Sequence, residues 1–381
     1  MDFSYLLNDA LTLCLLIILL VSFLFLCLWY GLGWLRMGLW KDNRLPKGKD
    51  FPDKDLPSVS VVLVAHNEAD ALKKSLPYLL EQDYPNFEVV VVDYTSTDDT
   101  RFVLRVCSEN YPNLKPVIFS HDVNMFQGKK YPLSIGIKSA SKDVILLTEP
   151  NCLPSGFNWI REMMTGYAHG ADIILGYSQV KPQKSLLNAL ERYDNVTGSA
   201  RFLGRALYSV PFTGSGRNLS FGRDFFFAKG AFINQYSFPE GADDLFINRN
   251  ATKKNTAVVL RNGAETIRES HPTMHSWRLE RQDRMAARRH YSMAQKINLA
   301  FYPLMQMLFL ASLLWLWIGG TMMWQILASV LAIRIIWELI CFYFLSKYFN
   351  IKKLTYFAIF FELYFLISNT FLWLVALLRK K

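Results

Sequence analysis

Apolar positions along this chain fall into three regimes. From Ala10 to Leu35 they run without a charged residue, longer than the roughly 20 residues a helix needs to cross a bilayer, and Trp29, Tyr30 and Trp34 close the run with the aromatics of a headgroup boundary. A cleaved signal peptide fits poorly: the run is too long, no basic stretch precedes it and no small-residue cleavage site follows. Apolar blocks return as Leu299 to Gly319, Met322 to Leu345 and Leu354 to Leu378. Arg334 and Glu338 interrupt the second of these; four apart, they share a helical face and are placed to pair inside a bundle.

Between these blocks the pattern is that of a water-soluble domain. Val59 to Val64 and Phe87 to Val92 are near-continuous runs rich in valine, which predict buried parallel strands, and Ala69 to Leu80 between them has helical spacing. Thr97 to Cys107 and Tyr131 to Ala140 read as further helices, Pro116 to Ser120 and Val144 to Thr148 as further strands. Strand, helix, strand opens an α/β domain, and such sheets gather ligands where their strands end at the carboxyl edge. Polar residues collect at those ends: His66, Asn67 and Glu68 after the first strand, Asp93 after the second, Glu149 and Asn151 after the fourth.

Composition sharpens the division. At 51% hydrophobic and 15% aromatic residues, the chain holds more apolar side chains than one soluble core of about 235 residues uses. A net charge of +10 is compatible with nucleic acid, anionic lipid or a polyanionic ligand. Position decides among them. Lys41, Arg44, Lys47 and Lys49 follow the first block, and Arg278, Arg281, Arg284, Arg288 and Arg289 precede the second, so the charge borders the bilayer and nucleic acid has little support. The lysines after the first block place the soluble domain on the cytoplasmic side. Lys347, Lys352 and Lys353 agree with one plus three spans, while the tail Arg379, Lys380 and Lys381 runs against the rule. Cys14, Cys27 and Cys341 fall in apolar blocks, which leaves Cys107 and Cys152 without a disulfide or metal framework.

Six segments carry a resemblance when taken together and in order. They are Val-Ala-His-Asn-Glu (64–68), Val-Val-Asp-Tyr-Thr-Ser-Thr-Asp-Asp-Thr (91–100), Gly-Lys-Lys-Tyr-Pro-Leu (128–133), Ile-Leu-Leu-Thr-Glu-Pro-Asn-Cys (145–152), Gly-Arg-Asn-Leu-Ser-Phe (216–221) and Gly-Ala-Asp-Asp-Leu-Phe (241–246). The series resembles the family 2 glycosyltransferases over about Pro57 to Tyr291. The resemblance implies a GT-A-like mixed sheet flanked by helices, here with about four transmembrane α-helices, one N-terminal and about three C-terminal.

It also implies roles. Asp93 falls where the family binds the nucleoside; its other reading is a cap for the turn at Thr95 and Ser96. His66, Glu68 and Lys130, with Lys129 beside it, are candidates for the nucleotide sugar, as are Arg217 and Asn218 after a glycine-rich turn. Glu149 and Asn151 occupy the acid-any-acid positions expected to hold Mg2+ or Mn2+ on the diphosphate. Asp243 is the expected general base with Asp244 in support, the alternative for either being the cap of a helix starting near Leu245. Departures from the family pattern stand at Tyr94, Asn151, Ala242 and the segment from Glu280, where Arg281 or Arg284 are candidate phosphate clamps or lipid headgroup contacts.

The expected protein is therefore an integral membrane glycosyltransferase of the bacterial inner (cytoplasmic) membrane. It would move a sugar, with inversion, from a nucleotide sugar to a lipid-linked or polysaccharide acceptor at the cytoplasmic face. Its expected layout is an anchor (1–40), a basic linker (41–56), a transferase domain (57–270), a basic interfacial helix (271–298) beside membrane lipids, and C-terminal spans (299–381). The alternative is a catalytically impaired homologue that serves as a membrane scaffold or regulatory subunit.

Overall fold

The structure is a computed structural model and describes residues 10–41, 45–119, 128–319 and 324–378. Arg44, Ser120, Met322 and the tail 379–381 lie outside the described residues. These residues fall into two compact units, one drawn from Met1–Trp40, Val196–Ala200 and Tyr291–Lys381, the other from Lys41–Asn195 and Arg201–His290.

The first unit opens with α1 (Ala10–Trp29), whose axis continues through a π-helical stretch (Tyr30–Leu35) to Gly38. Among the described residues, four segments are long and apolar enough to cross a membrane: Leu11–Gly38, Met293–Ile318, Trp324–Tyr348 and Lys352–Leu372.

The second unit is built on a seven-stranded mixed sheet of order β3-β2-β1-β4-β8-β6-β9. Strand β1 (Val59–Ala65) lies parallel to β2 (Phe87–Tyr94) and to β4 (Val144–Leu147), and β2 lies parallel to β3 (Leu114–Phe119). Val61, Val62 and Leu63 of β1 and Val89 to Val92 of β2 are fully buried, because helices cover both faces and a parallel strand there gains from apolar side chains at every position. The helices are α2 (Ala69–Leu80), α3 (Thr100–Asn110), α4 (Lys130–Ser139) and α5 (Trp159–Met164).

Beyond β4 the pattern changes. A second, three-stranded sheet of order β5-β10-β7 combines β5 (Cys152–Pro154), β7 (Ser178–Val180) and β10 (Thr266–Arg268). Between them come β6 (Ile173–Leu175), the long helix α6 (Leu186–Tyr208), β8 (Leu219–Gly222), α7 (Arg223–Ala228), α8 (Ala242–Asn250), β9 (Thr256–Val258) and α9 (Met274–Ala287). Strand β8 runs antiparallel to both β4 and β6, which makes the main sheet mixed. Residues after Lys41 are seated on this domain: Gly48 N–H donates to Glu162 Oε2 at 3.1 Å and Arg161 pairs with Asp53 at 2.8 Å.

Helices α10 (Met293–Ile318), α11 (Trp324–Tyr348) and α12 (Ala358–Leu378) complete the first unit. Arg334 pairs with Glu338 at 3.5 Å as the four-residue spacing predicts, and at 2.8 Å with Glu362, an acid in the last apolar block that the hydropathy pattern does not single out. Tyr30 and Tyr302 also donate to Glu362, so this buried cluster joins all four apolar segments.

Candidate active site

The chain order β1, β2, β3 on one side and β4 on the other makes a switch point between β1 and β4, where the two flanking loops diverge and leave a crevice at the carboxyl edge. The loops after β1 and β2 are laced together. Asn67 N–H donates to Ser96 Oγ at 2.9 Å, Asn67 Oδ1 accepts from Thr97 N–H at 2.8 Å, and Glu68 N–H donates to Thr100 Oγ1 at 3.0 Å. Asn67 (φ 56°) and Thr95 (φ 54°) both sit in the left-handed region, a strained state for a β-branched threonine that these bonds hold in place. His66 is exposed at this rim and its Nδ1 donates to the Tyr94 carbonyl at 2.7 Å.

Asp93 lies at the end of β2. Its carboxylate is fully buried, accepting from Arg101 Nε at 2.8 Å and from Ser96 N–H at 3.3 Å. The turn-capping contact to Ser96 is therefore present, with the Arg101 pair beside it. Arg101, eight residues on, is turned back onto the strand end by α3.

Glu149, just beyond β4, is the centre of the site. Its Oε2 accepts from Arg217 Nε at 2.9 Å and its Oε1 from Lys129 Nζ at 3.3 Å. These two cations overcome the effect of burial and hold the carboxyl down at about 2. Glu68 lies within their electrostatic reach; burial raises its pKa, Lys129 opposes this and Glu149 adds to it. Lys129 follows Gly128, whose φ of 94° brings its α-carbon so close to Pro239 that a Cβ there would collide with the Pro239 carbonyl oxygen.

Lys130 faces the other way. Buried, it donates to the carbonyls of Phe238 and Glu240, each at 2.6 Å, and lies over the Phe238 ring. Of the adjacent lysines it is Lys129 that reaches Glu149, while Lys130 is engaged with the Phe238 and Glu240 carbonyls. Asn218 is likewise structural. Its Oδ1 accepts from Trp159 Nε1 at 3.2 Å and its Nδ2 donates to the Tyr177 and Ala264 carbonyls at 2.8 and 2.7 Å, so three of the four hydrogen bonds this 1% exposed amide can make are spent within the fold.

Arg217 is fixed at every point. Thr148 and Thr266 hydroxyls donate to its carbonyl, and its guanidinium forks onto Glu280 at 2.6 and 3.3 Å while Nε holds Glu149. The departure at Glu280 is thus a partner for Arg217. Glu280 also meets His271 Nε2 at 3.0 Å and Arg284 Nε at 3.6 Å; His271 Nδ1 faces Glu191, and Arg284 pairs with Asp194 at 2.8 Å. Flanked by carboxylates on both ring nitrogens, His271 is pushed up to about 8. Arg281 is buried over Trp277, and Arg284 is held between Asp194 and Glu280.

Asp243 and Asp244 stand in the first turn of α8, which begins at Ala242 after Gly241 (φ 67°), not near Leu245. Neither aspartate caps the helix. Asp243 accepts from Gly216 N–H, and Asp244 from Thr213 Oγ1, so both strap the loop that carries Arg217. Burial raises the pKa of Asp243, with Glu149 adding to it.

The residues present do not fit a protein-held divalent ion. Both oxygens of Glu149 face cations, and Asn151 is exposed with its amide oxygen accepting from the Cys152 thiol at 3.5 Å. Among the described residues no three His, Cys, Asp or Glu side chains gather as metal ligands.

Residues 60–227 match the family model described as Glycosyl transferase family 2. Glycosyltransferase AglE of Haloferax volcanii is 32% identical over 145 residues, 37% of this chain and 46% of AglE. Probable glycosyltransferase YdaM of Bacillus subtilis is 31% identical over 115 residues, 30% of this chain and 27% of YdaM. The chain thus spans less than half the length of these curated relatives. The fold resembles that of a mannosyltransferase of Pyrobaculum calidifontis solved with GDP-Man and Mn2+, at a TM-score of 0.60 and 18% identity over 95% of this chain and 98% of that one. The likeness is one of fold: a GT-A-like mixed sheet flanked by helices.

Proposed function

We propose that this chain, whose residues 60–227 match the glycosyl transferase family 2 model, moves a sugar from a nucleotide-sugar donor to an acceptor at the membrane surface, inverting the anomeric carbon. The observation that carries this reading is Asp243, a half-buried carboxylate with a raised pKa, fastened to the loop that brings Arg217 to the carboxyl edge of the sheet.

Inverting transfer needs one base beside the acceptor hydroxyl. Asp243 takes that proton as the acceptor oxygen bonds to the anomeric carbon and the bond from that carbon to the diphosphate oxygen breaks. The nucleoside diphosphate leaves from the opposite face. Burial raises the pKa of Asp243, which makes its carboxylate a stronger base. Asp244 and Gly216 set its position, and His66 and Glu68 line the donor side of the crevice.

A lipid-linked or polysaccharide acceptor is the reading favoured by the chain's own make-up, since among the described residues four segments are long and apolar enough to cross a membrane. Lys41, Lys47 and Lys49 after α1 favour a cytoplasmic domain on an integral membrane chain.

The test is release of nucleoside diphosphate by purified, detergent-solubilised protein across UDP-, GDP- and dTDP-sugars, alongside Asp243→Asn. Donor-specific release that the variant lacks is the expected result. Binding of no donor would instead favour a catalytically impaired scaffold, a reading to which the mutual pairing of Glu149 and Arg217 lends support.

A further inference from the structure

The donor's diphosphate carries the largest charge that must enter this site, and two kinds of group could meet it: a divalent ion or fixed side-chain cations. On the transferase reading, we infer that Lys129 and Arg217 meet that charge directly, and that Glu149 serves as their anchor in place of holding a metal.

Glu149 supplies the first argument. A divalent ion on this carboxylate would have to displace Lys129 Nζ at 3.3 Å from one oxygen or Arg217 Nε at 2.9 Å from the other, and would then sit beside both positive groups. Small divalent ions take about six hard oxygen ligands, and with Asn151 turned to solvent the protein would contribute one contested carboxylate.

The cations supply the second. Arg217 spends three of its N–H groups on Glu149 and Glu280, which leaves about two of the five a guanidinium owns, in a plane already fixed by those bonds. A fork held in this way loses little freedom on meeting a phosphate. Lys129 is different: its side chain is 72% exposed, reaches the crevice edge, and can turn its remaining N–H groups onto an anion. Glu280, held by His271 and Arg284, positions the fork from behind.

Calorimetric titration of UDP, GDP and dTDP into purified full-length protein, once in EDTA and once in Mn2+, tests the inference. One nucleotide is expected to bind in EDTA within about threefold of its affinity in Mn2+, and Lys129→Gln to weaken that binding about tenfold, the loss of one charge-assisted contact. Lys129 is exposed, so the variant folds. Paramagnetic resonance should also find Mn2+ free in the presence of nucleotide-free protein. Nucleotide binding that requires Mn2+, or Mn2+ captured by the nucleotide-free protein and released in Glu149→Gln, overturns the inference and leaves the transferase reading standing. Failure of all three nucleotides in both conditions overturns the two together.

Discussion

Arg217 and Glu280, 63 residues apart in the chain, form a forked ion pair at 2.6 and 3.3 Å, and through it the loop before β8 is tied to α9. Behind the pair, His271 lies between Glu280 and Glu191. Both ring nitrogens then donate, which is the imidazolium form.

This arrangement predicts a stability profile. The folded pKa of His271 is raised to about 8 against an ordinary 6.5, so its contribution is complete below the unfolded value and is lost as pH rises through 8. Thermal unfolding in detergent should show stability falling by about 2 kcal/mol between pH 5 and 9, since a tenfold change in proton affinity is worth about 1.4 kcal/mol. In Glu280→Gln, which keeps the shape and removes one partner charge, that fall should begin at lower pH. A flat wild-type profile would contradict the imidazolium assignment.

Asp243→Asn retains a group able to accept the Gly216 N–H and loses the base. Turnover should drop about 100- to 10,000-fold, the usual worth of general base catalysis, while the KM for the donor changes little. Parallel losses in both constants would mean that Asp243 binds substrate and does not take the proton.

Asn218→Ala should behave as a core lesion. It strands Trp159 Nε1 and the carbonyls of Tyr177 and Ala264 in a buried setting, for a loss of about 2–4 kcal/mol of unfolding free energy. Donor binding per folded molecule should be preserved, which would separate Asn218 from the ligand contacts expected of it by position in the sequence.

In the unit of long apolar helices, Glu362→Ala removes the shared acceptor of Arg334, Tyr30 and Tyr302. Breaking a buried pair in this way costs about 3–5 kcal/mol, so the variant should unfold at markedly lower temperature in detergent. Unchanged melting would show that the cluster contributes little to holding the helices together.

The amino-acid sequence by itself determined the elements and their order as far as Thr148, together with the apolar blocks at either end, and left the short strands and helices between Cys152 and Ala287 largely unread. Runs such as Val89 to Val92 can be satisfied only inside a covered parallel strand, and Ala10 to Leu35 only by leaving water, so each was legible from local pattern alone. The six motif segments located the carboxyl-edge site for the same reason: each is contiguous. Which side chains face the crevice was settled by contacts between segments remote in the chain. Lys129 and Lys130 are chemically alike and adjacent, and the fold buries one under Phe238 while it turns the other to Glu149. Asp93 acquires Arg101 from α3, Arg217 acquires Glu280 from α9, and Arg334 acquires Glu362 from a separate helix. Ion pairing and burial depend on distance in space, and no spacing along the chain encodes that distance once a loop or a second sheet intervenes.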